Sequence, residues 1–138
     1  MKLTYPAIFR PFSDGSGGYV VEFPDLPGCV TEGRTMEEAI EMGIDAASGW
    51  ILGELEDGEK IPKASEYRDV PAAENEMVNV LLLDMDSYAE KYGEKAVRKN
   101  LTLPAWLNTF AEKNNINFSK ILQDALLAMA TEKNFQKM

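Results

Sequence analysis

Histidine is absent from the 138 residues, and cysteine occurs once, at Cys29. Without imidazole, the chain acting alone cannot build a Ser-His-Asp triad, bind a metal through histidine or use an imidazole general base. One thiol excludes an internal disulfide, and a single thiol without histidine excludes the usual Cys/His zinc site. Also missing is any apolar run long enough for a signal peptide or a membrane span. The start, Met1-Lys2-Leu3-Thr4-Tyr5-Pro6, passes directly into alternation of polar and apolar residues. These absences lead us to expect a soluble protein of the reducing cytoplasm with no membrane partner. What is present is the composition of an ordinary globular protein, with 45% apolar and 27% charged residues. That length suits one domain or two small ones, neither with a large core.

Charge divides the chain. Residues 1–93 carry 7 Lys/Arg against 19 Asp/Glu, a net −12, whereas residues 94–138 carry 7 against 4, a net +3. An acidic body repels nucleic acid and attracts basic protein, while a short basic end can engage phosphates if its cations share a surface.

Leu3, Tyr5, Ala7 and Phe9 alternate along a first strand, Asp14-Gly15-Ser16-Gly17-Gly18 supplies a hairpin loop, and Tyr19 to Phe23 forms a second strand. Pro24-Asp25-Leu26-Pro27-Gly28 must break that strand, and Cys29 to Gly33 forms a third. Thr35-x-x-Glu38 is a capping box, and Met36, Ile40, Gly43/Ile44, Ala47 and Ile51 recur at helical spacing, predicting one amphipathic helix over about 36–55 that covers the sheet. Residues 54–76, rich in charge and proline, read as a long surface connection. Met77-Val78-Asn79-Val80-Leu81-Leu82-Leu83 is apolar on both faces, as expected of a strand buried within the sheet or at a subunit contact. A short helix, Ser87 to Tyr92, is stopped by Gly93.

Beyond Gly93 the pattern changes. Val97, Leu101 and Leu103 point one way and Arg98, Asn100 and Thr102 the other, predicting a single strand with one polar face. Pro104 suits the first turn of a helix carrying Leu107, Phe110 and Ala111, and Asn114-Asn115 tolerate the left-handed geometry that ends it. Ser119 is placed to cap a second helix, with Ile121, Leu122, Ala125, Leu126 and Met129 on its buried face. A lone strand and two short helices fall below the size that folds alone, so this unit needs a second copy of itself. Antiparallel pairing of the two strands would satisfy both edges and let four helices close over Leu101 and Leu103. The opposite face would show two copies of Arg98, Asn100 and Thr102, side chains that can read base edges from a two-stranded ribbon in the major groove.

Val97 to Ala128 therefore looks like a ribbon-helix-helix DNA-binding module. The resemblance implies that the start of the second helix, at Ser119 and Lys120, anchors a DNA phosphate, a role that a helix N-terminus favours physically. Lys99 completes the set of candidate DNA contacts. Across residues 3–85, Tyr5, the loop Gly15 to Gly18, Tyr19-Val20-Val21-Glu22-Phe23-Pro24-Asp25-Leu26-Pro27-Gly28-Cys29, Gly33 and Thr35-Met36-Glu37-Glu38-Ala39 resemble the HicB family of antitoxins. This resemblance implies a partial ribonuclease-H-like antiparallel sheet with one main helix, which binds and occludes a HicA-type toxin, a small basic RNA-cleaving protein. Tyr19, Glu22, Asp25 and Glu32 are the candidate toxin contacts. The expected organisation is α+β, with a toxin-binding domain over 1–88, a linker over 89–95 and a ribbon-helix-helix domain over 96–138 acting as a homodimer or tetramer on operator double-stranded DNA.

Two rival functions remain open at this point. Ribonuclease-H-like nucleases hold two divalent metals with clustered carboxylates, but the first strand, Lys2 to Arg10, has no acid. Without one, Asp25, Glu41, Asp45, Asp84 and Asp86 form no recognisable constellation, so we expect no catalytic residue, metal or cofactor. The other rival is a ribbon-helix-helix repressor that senses a small ligand, for which the sequence offers no pocket signature. Glu37, Glu38 and Glu41 read as capping and solvated helix residues, Cys29 as a small core hydrophobe, and Met36, Met42 and Trp50 as core or dimer contacts.

Overall fold

The computed structural model describes residues 1–93 and 97–136, which fall into two compact units, one ending at Gly93 and one beginning after it. The first unit is α+β. Its strands are β1 (Lys2–Pro11), β2 (Tyr19–Glu22), β3 (Val30–Gly33) and β4 (Met77–Asp84). They form one antiparallel sheet in the order β3-β2-β1-β4. Because side chains alternate along a strand, the register that sets Phe9 opposite Val21 and Tyr5 opposite Leu81 gathers Leu3, Tyr5, Ala7, Phe9, Val21, Leu81 and Leu83 into one buried cluster.

Helix α1 (Met36–Glu56) follows the expected capping box: the Glu38 amide donates to Thr35 Oγ1 at 3.1 Å. The helix buries Ala39, Gly43, Ala47 and Ile51 in the cluster. Small residues let it lie close to the sheet. A Cβ on Gly43 would stand 3.0 Å from Leu81 and 3.2 Å from Val21. Gly33, the last residue of β3, is tighter still, since a Cβ there would fall 2.2 Å from the Ala39 amide nitrogen, with no flexible side chain to give way. Gly33→Ala should therefore cost about 3 kcal/mol or more, read as a lower urea midpoint by circular dichroism.

Cys29 lies in the core and its thiol pKa is raised by burial, Met36 and Trp50 pack partly buried against the core, and Met42 is exposed. Residues 57–76 are less of a surface connection than their composition predicts. They include a 3-10 turn, Tyr67–Asp69, and they bury Ile61 completely and Val70 almost so. Ile61 joins the core cluster, and the nearby Pro62 carbonyl accepts a hydrogen bond from the Tyr5 hydroxyl. Burial, with the Asp25 carboxylate as a second cause, pushes the Tyr5 pKa up to about 12. β4 is an edge strand, not one within the sheet. Leu81 and Leu83 are buried, while Val80 and Leu82, on the other face, are 51% and 52% exposed. Helix α2 (Met85–Tyr92) starts two residues earlier than expected, with Asp84 as N-cap.

The second unit consists of α3 (Ala105–Lys113) and α4 (Phe118–Gln136), preceded by residues 97–104 without regular structure. The strand expected there is not formed: the segment is not part of the sheet β3-β2-β1-β4, and a segment with no strand beside it has no ladder of hydrogen bonds. Pro104 sits at the N-cap of α3, one residue before the first turn. Asn115 adopts φ 53°, the left-handed conformation expected between the helices.

Candidate functional site

In the C-terminal unit, Arg98, Lys99, Asn100 and Thr102 are all exposed, and so are the apolar residues interleaved with them, Leu101 (64%) and Leu103. Both helices share this property. Leu107 and Phe110 on α3 and Phe118, Ile121, Leu122, Leu126 and Met129 on α4 are exposed, and Ala111 alone among the described apolar residues of this unit is buried. A unit that leaves its helix stripes in water has not buried its core within one chain. Ser119 does not cap α4, contrary to expectation. Asn117 does, its side-chain oxygen accepting from the Lys120 amide at 3.0 Å, while Ser119 lies inside the first turn. Both residue types cap well, so composition alone could not choose between them. The Lys120 ammonium pairs with Asp124 one turn on, at 3.3 Å.

In the N-terminal unit the four candidate contacts separate. Glu22 and Glu32 share the sheet face opposite the core, since Glu22 pairs with Ile8 and Val30 and Glu32 with Val20. Tyr19 points to the other face, its ring edge-on to Phe9 with centroids 6.3 Å apart. Asp25 is already engaged, its carboxylate accepting from the Ser65 amide at 2.9 Å and the Ser65 hydroxyl at 2.6 Å. Trp50 Nε1 donates to the Pro27 carbonyl at 3.0 Å, so the Pro24–Gly28 loop is held from two sides. Asp25→Ala should leave the sheet folded yet accelerate amide exchange around residues 24–28 and 60–66, measured by hydrogen–deuterium exchange. Sequence reading missed Arg10, which donates to Glu76 at 2.7 Å and to Glu22 at 3.2 Å across the same sheet face as Glu22. The Glu76 carboxyl is held below the usual range first by the Ala73 amide and then by Arg10. Alternation along β1 places Arg10 on that face, but the long separation from Glu76 hides the pair.

Of the carboxylates weighed as metal ligands, Asp25, Asp84 and Asp86 serve local structure. Asp84 accepts from the Ser87 amide at 3.3 Å, a bond that lowers its pKa, and Asp86 pairs with the Met1 amine at 2.7 Å. Among the described residues, no group of three or more Cys, Asp or Glu is placed to hold a metal ion, and no helix is long and apolar enough to cross a membrane.

Residues 5–130 match the family model of the HicB_like antitoxin of bacterial toxin-antitoxin systems. The chain belongs to this family. Antitoxin HicB 1 of Photorhabdus laumondii is 39% identical over 90 residues, which span 62% of this chain and 57% of that protein, just over half its length. An uncharacterised 14.9 kDa protein from the rep-hol intergenic region of Haemophilus phage HP1 is 35% identical over 108 residues, 76% of each chain. In fold, the chain is similar to a protein of a toxin-antitoxin complex from Streptococcus pneumoniae, with TM-score 0.61 and 24% identity over 94% of this chain and 99% of that one. It is also similar to the Burkholderia pseudomallei antitoxin HicB, with TM-score 0.54 and 20% identity over 91% and 96%.

Proposed function

We propose that this chain neutralises a HicA-type, RNA-cleaving toxin through its N-terminal unit and represses its own operon through its C-terminal unit. On this reading residues 1–88 form a partial ribonuclease-H-like capture domain and residues 96–138 a ribbon-helix-helix domain, joined by a linker over 89–95, working in the cytoplasm as a homodimer or tetramer. The observation that carries the reading is the C-terminal unit's unburied apolar side chains, interleaved at 97–103 with Arg98, Lys99, Asn100 and Thr102. Pairing with a second copy would bury the apolar side chains and gather Arg98, Asn100 and Thr102 on a ribbon face that fits a major groove, with Lys99, which alternates with them, left to reach a phosphate. The first turn of α4, with Ser119 and Lys120, is the place for a DNA phosphate. For the capture surface, the acidic N-terminal unit suits a basic protein, and Glu22 and Glu32 share a face on which to meet it.

The test is co-expression with the product of the adjacent reading frame. A short basic protein that co-purifies with this chain and dissociates as salt is raised supports the capture reading. No association at low salt with a folded adjacent product would sink it.

A further inference from the structure

The boundary between the two units at Gly93 coincides with the boundary in charge. The N-terminal unit carries a net −12 and the C-terminal residues a net +3. Helix α1 concentrates the acidity, since over twenty-one residues it has Glu37, Glu38, Glu41, Asp45, Glu54 and Glu56 and no cation. Covalent geometry tethers the acidic unit as a whole to the proposed DNA contacts. Four peptide steps join Gly93 to Val97, so their Cα atoms are at most about 15 Å apart in any arrangement. That reach is about twice the screening length at physiological ionic strength, about 8 Å, and about half that at 0.01 M, about 30 Å, so the field is felt most at low salt. A duplex held at Arg98 and Lys99 therefore lies within the field of the body to which those residues are tethered.

Resting on the DNA-binding reading above, we infer that the acidic N-terminal unit is an electrostatic brake on DNA binding by the C-terminal unit. Its strength is set by the net charge of the body, without any contact between body and DNA.

The test changes the body's charge in both directions in the full-length chain. Glu41→Gln, Asp45→Asn, Glu54→Gln and Glu56→Gln together remove four negative charges from α1, and none of these side chains makes a hydrogen bond described above. Lys60→Glu with Lys63→Glu shifts the net charge by −4, replacing two cations with two anions at exposed positions. Folding is checked by circular dichroism. Binding is measured to a duplex from the DNA directly upstream of the reading frame and to a scrambled duplex of equal length. At about 50 mM salt the first variant should bind both duplexes roughly three- to tenfold tighter than wild type and the second correspondingly weaker, with both differences fading toward about 0.5 M. Wild-type binding with neither variant altered overturns the brake alone. Absence of wild-type binding to either duplex at low salt overturns the DNA-binding reading, and the brake with it.

Discussion

Leu101→Asp is expected to separate paired chains into monomers and abolish DNA binding, although Leu101 is 64% exposed in the single chain. The substitution discriminates because the two possible situations predict opposite outcomes. If residues 97–103 remain a solvated segment, replacing an exposed leucine with aspartate changes stability by no more than about 0.5 kcal/mol and improves solubility. If the segment pairs with its mate, Leu101 faces the shared core of four helices, and the variant places two carboxylates in one apolar layer. Burying such groups without partners costs several kcal/mol each, enough to undo an association on which the unit's fold depends. Analytical ultracentrifugation and thermal melting report the result, and Leu101→Met, which keeps the apolar volume, serves as the control. Unchanged mass and melting in Leu101→Asp would show that this segment does not pair.

Legibility of the fold followed the range of the interactions that decide it. The N-terminal hairpin and α1 are specified locally, by the glycine-rich loop Gly15 to Gly18 and by Thr35 and Glu38, and the helix ends within a residue of where its apolar period stops. Ile61 and Val70 were illegible because each is an isolated apolar residue among charges. Their burial depends on packing against the rest of the N-terminal unit, as the Tyr5–Pro62 and Asp25–Ser65 bonds illustrate. β4 was misplaced for a related reason. Apolar residues on both faces mark a strand that avoids water on both sides, but they do not say whether a neighbouring strand or another molecule provides the cover. Val80 and Leu82 are half-exposed on an edge strand, which removes the first possibility. At the candidate site, alternation singles out Arg98, Asn100 and Thr102, but exposure in the single chain does not separate them from Val97, Leu101 and Leu103, which are exposed as well. The cap of α4 was not legible, since Asn117 and Ser119 are chemically equivalent candidates and only the hydrogen bond to Lys120 distinguishes them.

Removing Arg98 and Asn100 together should eliminate sequence-specific operator binding while leaving the dimer intact. Both side chains are exposed and alternate with Val97 and Leu101, so truncating them to alanine removes no buried volume. On a paired ribbon each would occur twice, and a bidentate contact from arginine to guanine or from asparagine to adenine discriminates against the wrong base by roughly 1 to 3 kcal/mol. Four such contacts at the lower end amount to about 4 kcal/mol, close to a thousandfold in affinity. Lys99 supplies the contrast. As a phosphate contact it should act on every sequence alike, so Lys99→Ala lowers specific and non-specific affinity together and flattens the salt dependence, leaving the ratio between operator and scrambled duplex unchanged. Arg98→Ala with Asn100→Ala should instead collapse that ratio toward one, in electrophoretic shift assays at a single fixed salt concentration. If the double variant keeps the wild-type ratio while the Lys99 variant loses it, the ribbon face has been assigned in the wrong register: a one-residue slip turns Arg98, Asn100 and Thr102 inward and Val97, Lys99, Leu101 and Leu103 toward the groove.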